Sequence, residues 1–66
     1  MTKLRLYRLQ LDLKTKDMAK DLNLDTATIS TVERGKARAS DRVRLKLSSF
    51  FGVAETELFN NERFAV

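Results

Sequence analysis

The chain has 66 residues and a formal charge of +4, with 13 basic and 9 acidic residues. A chain of this length forms one small domain with one core, which leaves little room for a deep catalytic pocket. It contains no cysteine and no histidine, which excludes disulfides, thiolate metal sites and the usual general base. We therefore expect no enzyme activity, no metal and no cofactor.

The composition is typical of a folded domain, because apolar residues make up 42% of the chain and charged residues 33%. No apolar run approaches the roughly 18 residues that a membrane span requires, and the N-terminus lacks the apolar core of a signal peptide. We expect a cytoplasmic protein with no membrane partner and no small-molecule ligand.

The first predicted element is a helix over residues 3–11. A strand is the alternative for this segment, because leucines alternate at positions 4, 6, 9, 11 and 13. The polar residues between them, Arg5, Arg8 and Gln10, favour a helix instead.

The second helix is predicted over residues 15–22, with Thr15 a better hydrogen-bonding cap than Lys14. Its inner face consists of Met18, Ala19 and Leu22. Asn23 should end it, because asparagine tolerates the left-handed conformation that this position needs. Leu24 then enters the core.

Asp25 is the predicted N-cap of the third helix, where its charge suits the helix dipole. Ile29 and Val32 form the buried face, and Gly35 ends the helix. Two helices joined by a tight turn, the second presenting small polar side chains, are typical of a DNA-binding helix-turn-helix.

The fourth helix should begin near Ser40 and end at Gly52, with an apolar side of Val43, Leu47, Phe50 and Phe51. A short fifth helix is predicted over residues 54–60, with Leu58 and Phe59 facing inward. The sequence thus predicts an all-α fold of five helices in a single domain over residues 1–66. Residues 61–66 are expected to form a flexible or dimer-forming tail.

A basic run follows the third helix. Between positions 34 and 46 the sequence has a single acidic residue, Asp41, and six basic ones: Arg34, Lys36, Arg38, Arg42, Arg44 and Lys46. A solvated loop and helix face is one interpretation. Directly after a recognition helix, phosphate binding is the interpretation that we favour.

These motifs, in this order and spacing, resemble the lambda-repressor-like helix-turn-helix domains, that is, phage Cro and repressor proteins and the XRE family. The resemblance covers residues 4–59. The matching elements are Arg8, Leu-Lys-Thr-Lys-Asp-Met-Ala at 13–19, Leu-Asn-Leu-Asp at 22–25, Thr-Ile-Ser at 28–30, Glu-Arg-Gly at 33–35, Phe-Gly-Val at 51–53 and Glu-Leu-Phe at 57–59.

The chain departs from the family pattern at three places. Asn23 stands where the family often has glycine, and Ala39-Ser40 where it often has proline. Asp41 and Arg44 occupy positions that are frequently apolar, so the fourth helix is expected to sit differently and to turn Arg44 towards DNA or a partner subunit.

The resemblance implies that the third helix lies in the major groove and reads bases with Thr26, Ala27, Ser30 and Thr31. None of these carries the bidentate groups that discriminate guanine or adenine most sharply. Their methyl groups suit thymine methyls, which predicts a softer readout that also depends on DNA shape. The alternative is a merely solvated polar face.

Contacts with the DNA backbone are expected from two places. By resemblance, Thr15 and Lys16 contact phosphates at the start of the second helix. Arg34, Lys36 and Arg38 do so after the third. In several family members an arginine of the first helix pairs with a glutamate near the end of the third, which here implies a structural pair of Arg8 and Glu33.

A dimer is expected, because one such domain covers only half an operator. The candidate interface residues are Phe59, Phe64 and Val66, in a homodimer that is weak in solution. The alternative is that Phe59 belongs to the core and the tail frays.

The favoured function is a transcriptional regulator that binds double-stranded DNA, most simply a Cro-like repressor of a phage or mobile element in the cytoplasm of a bacterial host. The alternative is a protein-interaction modulator, such as an anti-repressor or antitoxin, with the same fold.

Overall fold

Five helices follow one another through the computed structural model, which describes all 66 residues. They are α1 (Lys3–Gln10), α2 (Thr15–Leu22), α3 (Thr26–Glu33), α4 (Asp41–Phe51) and α5 (Glu55–Leu58). The prediction of an all-α fold is confirmed, and the strand alternative for the first segment is wrong. The longest helix has 11 residues, and none has the length and apolar character needed to cross a membrane.

Four helix ends lie where their capping residues predict them. The Ser40 hydroxyl accepts a hydrogen bond from the Val43 amide at 3.2 Å and begins α4. Asn23 ends α2 in the left-handed conformation, with φ 55° and ψ 47°. Gly35 and Gly52 also have positive φ, 72° and 67°, and each follows a helix directly or by one residue.

Two predicted caps differ from the structure. Lys14, not Thr15, is the N-cap of α2, because the backbone of Lys14 is still extended and Thr15 is already the first helical residue. Asp25 occupies the N-cap position of α3 as predicted, but its carboxylate accepts no hydrogen bond from the helix. Its contribution is then its charge beside the helix dipole.

The fifth helix is shorter than predicted. The predicted range was 54–60, whereas α5 ends at Leu58. Phe59 leaves the helix with an extended backbone and forms an antiparallel bridge with Ala65. Pairing with a later segment therefore stops the helix before Asn60.

All five helices contribute to one core. Its ten residues are Leu4, Met18, Ala19, Ile29, Val32, Ala39, Val43, Leu47, Leu58 and Phe59. The partly buried side chains packed against them include Leu22, Leu24 and the edge-to-face rings of Phe50 and Phe51. The core thus fixes how α3 sits against the other helices.

The C-terminal residues fold back onto the body of the domain. The Asn60 amide donates to the Phe64 carbonyl at 2.9 Å, and the Val66 amide to the Leu58 carbonyl at 3.1 Å. The Lys3 amide donates to the Val66 carbonyl at 2.6 Å, which joins this segment to the start of α1. Residues 61–66, expected as a flexible or dimer-forming tail, are therefore hydrogen-bonded within the fold.

Two leucines of α4 provide a matched test of this core. Leu47 is fully buried, whereas Leu45, two residues earlier, is 60% exposed. We expect Leu47→Ala to lower the free energy of unfolding by about 2–5 kcal/mol, since it removes buried methyl groups and leaves a cavity. Leu45→Ala should change it by less than about 0.5 kcal/mol. Urea unfolding followed by circular dichroism measures both, and equal losses would contradict this packing.

Candidate nucleic-acid interface

The turn between α2 and α3 sets the geometry of the site. Asn23 reverses the chain, and the Leu24 amide then donates to the Ala19 carbonyl at 2.9 Å. Ala19 is buried, and its small side chain lets α2 and α3 pack against each other. With Ile29 and Val32 turned into the core, the opposite side of α3 is left at the surface.

The four predicted base-reading residues lie on this outer side. Thr26 and Ala27 are exposed, and Ser30 and Thr31 are half-buried. The Thr31 hydroxyl donates to the Ala27 carbonyl one turn earlier, at 2.7 Å. The hydroxyl proton of Thr31 is therefore engaged, which leaves its oxygen as an acceptor and its methyl as an apolar contact.

A shallow, open hollow lies between α3 and the loop that follows it. It is lined by Ala27, Thr28, Thr31, Val32, Ala37 and Arg38. Half of these side chains are apolar and one is a cation at the rim. Such a surface suits an apolar group that belongs to a polar, negatively charged ligand. The hollow was not apparent from the sequence, because Ala37 lies in the loop outside α3.

The predicted phosphate-binding residues surround this face. Lys16 is exposed and Thr15 half-buried at the start of α2, while Arg34, Lys36 and Arg38 are exposed after α3. Arg34 folds back, and its Nε donates to the Ser30 carbonyl at 3.2 Å. The guanidinium carbon of Arg38 lies 5.6 Å from the centre of the Phe64 ring.

Two cations of the basic run serve the fold instead. Arg44 does not face outward as expected: its side chain is 14% exposed, donates to the Ala39 carbonyl at 2.6 Å and pairs with Asp41. Lys46 donates to the Leu22 carbonyl at 2.6 Å and so satisfies the C-terminal end of α2. The three-residue spacing of Asp41 and Arg44 is the one sequence signal that pointed to such a pair.

The structure brings Arg8 and Glu33 together across 25 positions of sequence. The Arg8 Nη2 and the Glu33 Oε1 are 2.9 Å apart, and the Arg8 Nε lies 3.0 Å from Oε2. The two side chains are only 12% and 4% exposed. This is the bidentate geometry that makes arginine–carboxylate pairs strong.

Further hydrogen bonds extend this pair to neighbouring segments. The Arg8 Nη1 donates to the Leu13 carbonyl at 2.6 Å, in the loop between α1 and α2. The Thr2 hydroxyl donates to the Glu33 backbone carbonyl, also at 2.6 Å. Each guanidinium nitrogen of Arg8 is thus engaged inside the protein, which makes it a scaffold residue rather than a phosphate ligand.

The three residues proposed for a dimer interface do not share one environment. Phe59 is 4% exposed and belongs to the core, so its ring offers no surface to a partner. Phe64 is half-buried, and Val66 is 44% exposed. Only the last two retain surface outside the core.

A double-mutant cycle on Arg8 and Glu33 tests the scaffold. We expect Arg8→Ala and Glu33→Ala to show a coupling of about 1–3 kcal/mol in the free energy of unfolding, since both side chains are desolvated. The exposed pair of Lys3 and Glu57, 3.3 Å apart, is the control and should couple by less than about 1 kcal/mol. A coupling of Arg8 and Glu33 below roughly 0.3 kcal/mol would refute their pairing.

Comparison with known proteins finds helix-turn-helix relatives. A family model described as helix-turn-helix matches residues 4–58. The chain is also 37% identical over 57 residues to an uncharacterized HTH-type transcriptional regulator of Methanocaldococcus jannaschii, with 86% of each chain covered. No solved structure gives a significant match. The chain belongs to the helix-turn-helix family of lambda-repressor-like (XRE) domains, as its motifs predicted.

Proposed function

We propose that this protein is a transcriptional regulator that binds double-stranded DNA in a sequence-specific manner, with α3 in the major groove. The observation that carries the proposal is a face of small side chains on α3 that is open to solvent, with exposed cations on both sides. Lys16 stands at the start of α2, and Lys36 and Arg38 follow α3. The family and its regulator relative support the same function.

The base readout follows from the small side chains of Thr26, Ala27, Ser30 and Thr31. Methyl groups of Ala27 and Thr31, one helical turn apart, are suited to the thymine methyl that lines the major groove. Because no amide or guanidinium stands at these four positions, single base pairs are discriminated softly. Shape and deformability of the operator supply the remaining specificity.

The DNA backbone is the proposed target of the surrounding cations and of Thr15 and Lys16. Phosphate contacts fix the register of a protein on the duplex without reading its sequence. Arg34 holds the Ser30 carbonyl and adds its charge from there. Arg44 and Lys46 are left out of this set, since their side chains satisfy backbone carbonyls.

We further propose that two copies bind the half-sites of one operator and that the protein acts as a Cro-like repressor by occluding a promoter. One module covers only half an operator, and dimers bind half-sites about one helical turn apart. Of the three residues expected at the interface, Phe64 and Val66 keep surface for such a contact. A dimer of this size is weak in solution and is completed on DNA.

A binding titration on DNA that flanks the protein's own gene, beside scrambled DNA at two salt concentrations, tests the function. The repressor hypothesis predicts that the specific complex is tighter than the complex with scrambled DNA by roughly a thousandfold or more, and that it forms in steps that imply two subunits. Equal, weak and salt-sensitive binding to both DNAs would contradict it. That outcome would favour a modulator that acts on another protein.

A negative charge placed on the outer face of α3 should weaken DNA binding without unfolding the protein. Ala27 is exposed, so Ala27→Glu puts a carboxylate against the negative groove and should weaken binding at least tenfold. Thr56→Glu makes the same charge change on α5, which packs against α1 and α4, and should bind like the wild type. Equal effects of the two variants in the titration would place the interface elsewhere.

Removal of one phosphate contact should lower the affinity for all DNA sequences by a similar factor. We expect Lys36→Ala to weaken binding to operator and scrambled DNA by similar factors and to reduce the salt slope by about 1. Lys3→Ala removes the same charge from a side chain that pairs with Glu57, and it should leave the slope unchanged. An unchanged slope for Lys36→Ala would remove this residue from the interface.

A further inference from the structure

The C-terminal segment, residues 60–66, lies directly against the loop between α3 and α4. The Ala39 amide donates to the Arg63 carbonyl at 2.9 Å. At the other end of the loop, a Cβ on Gly35 would lie 3.5 Å from the Ala65 carbonyl oxygen. The segment therefore contacts both ends of the loop that carries Lys36 and Arg38.

The segment is itself held in shape by Asn60. The Asn60 side-chain oxygen accepts hydrogen bonds from the amides of Glu62 at 2.9 Å and Phe64 at 3.0 Å. The backbone amide of Asn60 also donates to the Phe64 carbonyl, at 2.9 Å. Two of these three hydrogen bonds are made by the Phe64 backbone, and the third holds the same turn, so the position of Phe64 is fixed.

The loop is fixed from a second side. The Arg44 Nη1 donates to the Ala39 carbonyl at 2.6 Å, while the Ala39 amide is held by the C-terminal segment. The backbone amide and carbonyl of Ala39 are therefore both hydrogen-bonded, and Ala39 itself is 1% exposed. Arg38 immediately precedes this anchored position.

The Phe64 ring meets Arg38 on the remaining side. The guanidinium carbon is 5.6 Å from the ring centre, within the range of a cation–π contact. No hydrogen bond to the protein engages the guanidinium of Arg38, so its N–H donors stay available. Arg38 also lines the hollow beside Ala27 and Thr31.

We propose that Phe64 is a positioning residue for DNA binding. Its ring holds the Arg38 guanidinium beside the outer face of α3, where the guanidinium can bind a DNA phosphate. This inference rests on the proposed function and deepens it. A long arginine side chain loses rotamer freedom when it binds, and an arginine already held over a ring loses less. The C-terminal segment then acts as a brace for the DNA-binding loop.

The decisive probe is a chemically synthesised protein that carries pentafluorophenylalanine at position 64. This ring keeps nearly the same shape and apolar character, but its quadrupole is inverted, so the cation is no longer attracted to it. We expect operator affinity to fall by about two- to fivefold, the range of an exposed cation–π contact. The free energy of unfolding in urea should fall by no more than the energy of that one contact, which separates positioning from a packing defect.

Phe64→Leu and Phe64→Tyr extend the test by mutagenesis. The tyrosine variant retains the ring and should bind like the wild type, whereas the leucine variant should bind like the pentafluoro protein. In an Arg38→Ala background, the leucine and pentafluoro changes should have no further effect on affinity or on the salt slope. That pattern ties the effect to Arg38.

Two results overturn the inference while leaving the proposed function intact: wild-type affinity of the pentafluoro protein, or an equal loss in the presence and absence of Arg38. Failure of the wild type to prefer operator over scrambled DNA would overturn the proposed function, and this inference with it. The wild-type titration therefore distinguishes the two failures.

Discussion

The position of α3 depends on the buried ion pair between Arg8 and Glu33. A carboxylate that is 4% exposed is tolerated only with a charged, hydrogen-bonded partner. The Nε and Nη2 atoms of Arg8 donate to this carboxylate, while Nη1 donates to the Leu13 carbonyl. The pair thus joins α1, the loop before α2 and the end of α3. Because one guanidinium binds both the end of α3 and the loop that leads into α2, it helps to fix the outer face of α3 relative to the start of α2.

Six cations of this chain fall into two groups according to what their side chains contact. Arg8, Arg44 and Lys46 satisfy carbonyls or a carboxylate inside the fold. Lys16, Lys36 and Arg38 remain at the surface around the outer side of α3. The net charge of +4 alone did not distinguish these groups, because it does not show which side chains are engaged inside the fold.

Local rules predicted most of the fold. Asn23, Ser40 and the two glycines end or begin helices as their backbone preferences require, and helical periodicity found Met18, Ile29 and Leu47. The pair of Arg8 and Glu33 came from family resemblance rather than from spacing, since its partners are far apart in sequence. The outward orientation predicted for Arg44 was wrong, because the sequence does not show which backbone carbonyl a long, flexible side chain will bind. The return of residues 60–66 was missed because one bridge, Phe59 with Ala65, leaves no periodic pattern.

The central claim is that a scaffold fixed by the Arg8–Glu33 pair presents α3, the start of α2 and the following loop to DNA. The most direct measurement is an amide chemical-shift map of the isotope-labelled protein during titration with its operator. The account predicts that the shifts concentrate at Thr26 to Thr31, at Thr15 and Lys16, and from Arg34 to Arg38. Shifts centred instead on the exposed leucines of α1, Leu6 and Leu9, with α3 unaffected, would contradict it.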